Sequence, residues 1–155
     1  MRKGFTMVEL LVVISIIGVL GATMMLSSRS ASTTAKGMNV INNLRILKEA
    51  ASMYYLDNID TAESVNDNAL NGEAGILKKY VDNPPDGFTG YSFEITTDKK
   101  WYVKYVFSSD PDKDDLRTKL AGRANSSSLL QKGDNDSYAV YTNSDTSYTV
   151  YMRAR

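Results

Sequence analysis

The chain has no cysteine and no histidine among its 155 residues. Without cysteine there are no disulfide staples, so an exported domain here must be held by its core. The two absences together remove Ser-His-Asp and Cys-His nucleophile arrangements, zinc ligated by either residue, and haem ligation through them. An excess of one charge is missing too: Lys and Arg number 18, Asp and Glu number 18, and the formal net charge is zero. That balance gives no electrostatic case for nucleic acid or an anionic surface as partner. Carboxylates are plentiful, but no spacing singles out the paired acids of a glycosidase. Proline occurs three times, twice inside Asn83-Pro84-Pro85-Asp86-Gly87, a strong turn signal.

What the chain does have is one long apolar run at its start. From Phe5 to Leu26 almost every residue is apolar or small, and only Glu9 is charged. About 22 residues suffice to cross a hydrocarbon core that needs roughly 20 helical residues. A lone acid in such a segment is costly and calls for a partner. Nothing else in the run supplies one, so the partner is expected from a chain end, another molecule or water. Upstream lies a short basic leader, Met1-Arg2-Lys3-Gly4, and Arg2 and Lys3 place the start on the cytoplasmic side. A cut after Gly4 would leave Phe5 with a free α-amino group of pKa about 7.7–8.0, one helical turn from Glu9.

Lys3-Gly4 followed by Phe5-Thr6-Met7-Val8-Glu9-Leu10-Leu11-Val12-Val13-Ile14 resembles the cleavage and methylation motif of type IV pilins and type II secretion pseudopilins. The resemblance implies that Gly4 ends a leader removed by a membrane-embedded prepilin peptidase, which also N-methylates Phe5. It implies that Glu9 pairs with the Phe5 amino group of a neighbouring subunit. Its further partners would be other copies of itself in a helical polymer and an inner-membrane assembly platform. The precursor would sit in the bacterial inner membrane, and the mature chain in a periplasmic or extracellular filament. Many relatives carry a proline about two-thirds along the apolar half; here the nearest position is Leu26. An ordinary secretory signal is a poorer match, because its apolar region runs 7–15 residues and ends at an A-x-A-like site, which Ser30-Ala31-Ser32 scarcely resembles. A plain single-pass anchor is the other bland reading.

Three regions are expected: a leader over residues 1–4, a membrane and filament-core helix over 5–26, and a globular domain over 27–155. Ser27 to Lys36 is polar, small and weakly helix-forming, and marks where the chain leaves apolar surroundings. An amphipathic helix then resumes, with Val40, Leu44, Leu47, Ala51 and Tyr54 on one stripe, widened by Ile41 and Tyr55. Unbroken from Phe5 to Leu56, the helix would be about 78 Å long. Asp57 to Asn71 reads as loop, Glu73 to Tyr80 as a short helix, and Asp112 to Ala124 as another helix with Lys119 and Arg123 toward its end. Alternation over Tyr91–Ile95 and Trp101–Phe107 predicts two strands joined by Thr97-Asp98-Lys99-Lys100. Ser137–Thr142 and Ser147–Arg153 predict two more, joined as a hairpin at Asn143-Ser144-Asp145-Thr146. The fold class is therefore α+β, a long helix packed on a four-stranded antiparallel sheet, the pilin-like layout.

Two features suggest sharper functions. Asp110, Asp112 and Asp114 begin with calcium-loop spacing, but Asp115 stands where a Gly is needed and Ala121 where a bidentate Glu belongs. A looser calcium site from these three, or from Asp134 and Asp136, is the remaining cofactor candidate; otherwise the segment is an acidic loop capping a helix. Ten tyrosines and one tryptophan invite stacking on nucleic acid, carbohydrate or one another, yet most lie where strands favour aromatics, and nucleic-acid grooves need positive charge. The expectation is a filament subunit, not an enzyme. A secretion pseudopilin is the alternative, and a non-polymerising anchored binding domain the further one.

Overall fold

The computed structural model describes residues 4–59, 76–81, 90–96, 98–133, 137–143 and 147–155. Helix α1 spans Met7–Asp57, 51 residues, or about 77 Å at 1.5 Å per residue. It runs without interruption through Gly18, Gly21 and the polar Ser27–Lys36 stretch. In that stretch two hydroxyls bond back to the helix: Thr33 Oγ1 donates to the Arg29 carbonyl (3.1 Å) and Thr34 Oγ1 to the Ser30 carbonyl (2.8 Å). Residues that weaken a helix by competing for its backbone here bond within the turn they occupy.

Burial divides α1 in two. From Gly4 to Ser32 every described side chain is exposed, and the first buried residue is Thr33. Beyond it Val40, Leu44, Leu47, Ala51 and Tyr54 are all buried, as the 3.6-residue stripe requires. They pack against the inner face of a sheet built from β1 (Tyr91–Ile95), β2 (Trp101–Val106), β3 (Leu129–Lys132), β4 (Tyr138–Val140) and β5 (Thr149–Arg153). Two short helices, α2 (Lys113–Ala121) and α3 (Ala124–Ser127), lie between β2 and β3. The layout is α+β, a long helix on an antiparallel sheet.

The sheet has five strands, not four, in the order β1-β2-β5-β3-β4 with every pairing antiparallel. The unforeseen strand is β3. Its pairings Leu129↔Met152 and Leu130↔Tyr151 occupy the edge of β5 where β4 was expected. The 137–142 and 147–153 segments therefore do not form a hairpin with each other; β4 pairs with β3 instead, as Leu130↔Val140 to Lys132↔Tyr138. Tightness at the β3–β4 turn explains Gly133: its amide bonds the Ser137 carbonyl at 2.8 Å, and a Cβ there would stand 2.8 Å from Ser137 Oγ. Gly90 opens β1 at φ +79°, where a Cβ would stand 3.0 Å from the Tyr105 ring; only glycine accepts that backbone freely.

Other boundaries move for local reasons. The helix expected over 112–124 ends at Ala121, and Arg123, whose backbone at φ −111° and ψ 0° leaves the helical region, becomes the residue before α3. Of the helix expected at Glu73–Tyr80, Ile76–Tyr80 forms a 3-10 helix. Its remaining residues, the Asn83–Gly87 turn, most of the Asp57–Asn71 loop, Thr97 and residues 144–146 lie outside the described ones. The one tryptophan, Trp101, anchors the core's far end: its ring sits 5.4 Å from Tyr55 and 5.2 Å from Phe93, both edge-on. Such pairs add to what their buried area contributes.

Candidate functional site

At the start of α1 the chain makes a capping box. Thr6 is the N-cap, with extended backbone at φ −80° and ψ 152°. Its hydroxyl accepts from the Glu9 amide at 3.2 Å, while the Glu9 carboxylate accepts from the Thr6 amide and the Thr6 hydroxyl, each at 2.8 Å. This corrects the expectation that no group within the apolar run could partner Glu9: Thr6 supplies both bonds. The Thr-x-x-Glu spacing was the available signal. A hydroxyl and an amide satisfy the carboxylate here without any counter-charge.

Gly4, Phe5 and Glu9 are thus brought to one helix end. Phe5 is 83% exposed, and a Cβ at Gly4 would meet nothing within 4 Å, so among the described residues nothing covers the Gly4–Phe5 bond. Beyond Glu9 the apolar surface continues unbroken. Leu11 is 62% exposed, Ile17 62% and Leu20 59%, and the most apolar 18-residue window of α1 is not covered by any of the described residues. Soluble monomers seldom expose contiguous apolar patches beyond a few hundred Å². This surface is built to be covered by lipid or by protein.

The acidic loop before α2 is a clamp. Lys36 from α1 places its ammonium 3.3 Å from both Asp110 Oδ1 and Asp112 Oδ2, and Arg29 reaches Asp112 at 3.1 Å. The hydrogen bond to Asp112 chiefly raises the Lys36 pKa, against the opposing effect of burial and with help from Asp110. Lys36 in turn holds the Asp112 carboxyl below its ordinary value. Asp110 also accepts from the Asp112 amide at 2.8 Å, ordering the turn into α2. Asp114 points elsewhere, to Arg117 at 3.5 Å and the Tyr148 hydroxyl at 3.0 Å. The three aspartates therefore do not converge, and among the described residues no three acidic, His or Cys groups gather to hold a metal. Asp134 and Asp136 lie outside the described residues.

On the sheet's outer face Glu94 sits between Lys104 and Lys132, 3.2 Å from the first and in contact with the second. Burial raises its pKa, but the hydrogen bonds from Lys132 and Lys104 outweigh that and the net shift is downward. Tyr138 stacks flat on Tyr102, centroids 3.8 Å apart, which buries an outward-facing strand residue. Burial and the neighbouring Glu94 charge push the Tyr138 phenol upward.

Residues 1–25 match the family model of the prokaryotic N-terminal methylation motif. No curated protein and no solved structure gives a significant match to the chain.

Proposed function

The chain opens with the prepilin signature that type IV pilins and pseudopilins share, and from that premise we propose that it is a structural subunit of a type IV filament. The precursor is anchored in the membrane by the first half of α1. Cleavage after Gly4 releases the α-amino group of Phe5, which the same peptidase methylates. Mature chains then leave the bilayer and bundle through residues 5–26, exchanging lipid contacts for helix–helix contacts. Association is heterologous, each copy meeting the next along an open helix.

The observation that carries this reading is the coincidence of the motif with a helix whose first half is wholly exposed while its second half is core. Glu9 takes a definite part in it. In the single chain its carboxylate rests on Thr6; in the fibre it turns to the Phe5 ammonium of an adjacent copy, so that two charges enter an apolar core paired. The same chemistry would serve a pilus or a secretion pseudopilus.

Mass spectrometry of the mature N-terminus tests the proposal. Methylated Phe5 at the start of fibre-borne chains is the expected result, and mature chains still beginning at Met1 contradict it. Glu9→Val should be cleaved yet fail to assemble, and normal fibres from that variant would refute the charge pairing.

A further inference from the structure

We propose that the hollow where α2 crosses α1 binds the headgroup of a membrane lipid that carries a phosphate and a primary ammonium, fastening the domain to the bilayer until the chain is extracted. The inference rests on the membrane-anchored precursor of the reading above, and not on the polymer that the chain later enters.

The hollow, of about 300 Å³, is lined by Arg29, Ser30 and Thr33 of α1 and by Asp115, Thr118 and Lys119 of α2. Its depth follows from the helix. From Met7 to Leu26 α1 rises about 30 Å at 1.5 Å per residue, the thickness of a hydrocarbon core. Arg29 and Ser30 stand about 4–6 Å further along, and Thr33 about 10 Å. The headgroup layer on each side of a bilayer is about 5–8 Å deep. A chain anchored by that apolar run therefore holds the hollow at headgroup level.

The charges of the hollow are mixed and held apart. Asp115 and Lys119 lie one turn apart on the same face of α2, yet among the described residues no ion pair joins them. Lys119 Nζ turns instead to the Ser30 hydroxyl at 3.3 Å. Asp115, its side chain 60% exposed, has Arg29 Nε at 3.9 Å, too far for a hydrogen bond. Arg29 gives one bond to Asp112 at 3.1 Å, which leaves most of its five N–H donors over. Thr118 has given its proton to the Asp114 carbonyl at 3.0 Å, so its oxygen is left to accept. A phosphate finds Arg29 and Lys119, and a primary ammonium finds Asp115 and the Thr118 oxygen, all through charge-assisted bonds. Arg29 and Lys119 balance Asp112 and Asp115, so the site suits a headgroup of separated charges and no net charge. An anionic headgroup meets Asp115 without an ammonium to answer it, and a quaternary ammonium has no N–H to donate.

The full-length chain, purified in a non-ionic detergent, would be offered phosphatidylethanolamine, phosphatidylcholine and phosphatidylglycerol in equal amounts, and the lipid that stays bound counted by native mass spectrometry. Phosphatidylethanolamine should be retained roughly fivefold over either competitor, the scale of one exposed ion pair. Asp115→Asn should abolish the preference over phosphatidylglycerol, because the carboxylate that holds the ammonium and repels the anionic headgroup is gone. Lys119→Gln should weaken retention of all three, since each carries a phosphate. Equal retention of the three lipids by the unaltered chain overturns the assignment whatever the variants do. So does a preference for phosphatidylglycerol, the mark of a plain basic patch. An ethanolamine preference untouched by Asp115→Asn puts the headgroup elsewhere and overturns the site as well. Soluble phosphoethanolamine that displaces the lipid at equal concentration overturns a lipid as the occupant. Fibres with methylated Phe5 from a chain without the preference overturn the site and leave the filament standing. The preference in a chain that never forms fibres supports the site and overturns the filament alone.

Discussion

Replacing Leu47 with alanine tests the division of α1 most directly. Leu47 is 0% exposed and lies on the stripe between Leu44 and Ala51 that faces the sheet. The substitution removes buried carbon worth about 0.8 kcal/mol per methylene and leaves a cavity, for a total of about 2–5 kcal/mol in cases of this kind. A small domain has only about 5–15 kcal/mol to lose. A cost of about 3–4 kcal/mol lowers the midpoint of thermal unfolding by roughly 10–20 °C. Trp101, the chain's one tryptophan, is 2% exposed and in edge contact with Tyr55 of α1, so its fluorescence reports loss of the helix–sheet contact. The measurement is made on the full chain in detergent, beside Leu11→Ala, where the side chain is 62% exposed. Leu47→Ala should shift the tryptophan transition strongly and Leu11→Ala hardly at all. Equal shifts, or none with Leu47→Ala, would refute the claim that the helix is core in one half and free in the other.

Replacing Gly4 with leucine should leave unprocessed precursor in the membrane, seen as a heavier band and an intact Met1 by mass spectrometry. Acid should weaken the domain partly through Glu94. Its folded pKa lies below its ordinary value, so its contribution is complete above about pH 4.5 and fades as pH falls through the folded pKa. Denaturant midpoints of Glu94→Gln should accordingly fall less steeply than those of the unaltered chain below that pH. Lys36→Met should free the loop from Asp110 to Asp112, seen as faster amide exchange in the first turn of α2 with little change in the global midpoint, because Leu116 and Leu120 still bury that helix. The Lys36 pKa is raised, so its hold is complete at neutral pH and is lost only as strongly alkaline pH passes the folded value.

Much of this architecture follows from local periodicity. The stripe from Val40 to Tyr54 and the strands Tyr91–Ile95 and Trp101–Val106 each have a repeat visible within a few residues, and α2 begins just after Asp112 with acidic residues in its first turn. β3 had no such mark. Leu129-Leu130-Gln131-Lys132 is too short to alternate convincingly, and Ser126-Ser127-Ser128 before it looks like loop. What makes it a strand is the free edge of β5, about 20 residues away in sequence, together with Ser128 at φ 54°, which ends α3 and turns the chain. The strand order departs from the hairpin expectation for the same reason. Two strands joined by a short turn are expected to pair, but Leu129 buried opposite Met152 holds the position beside β5 and sends β4 to the edge.

The match to the methylation motif at residues 1–25 is written as residue type: a small residue at Gly4, Phe5 after it, Glu9 one turn on. Such a signature is legible without a fold, so sequence alone determined it, as it did the absence of any cysteine or histidine chemistry. What holds Asp110 and Asp112, and what sets Glu94 between Lys104 and Lys132, were decided only by the tertiary structure. Each depends on which groups stand within about 3 Å of one another, and residues such as Lys36 and Asp112 are brought to that distance from 76 positions apart by the packing of α2 on α1.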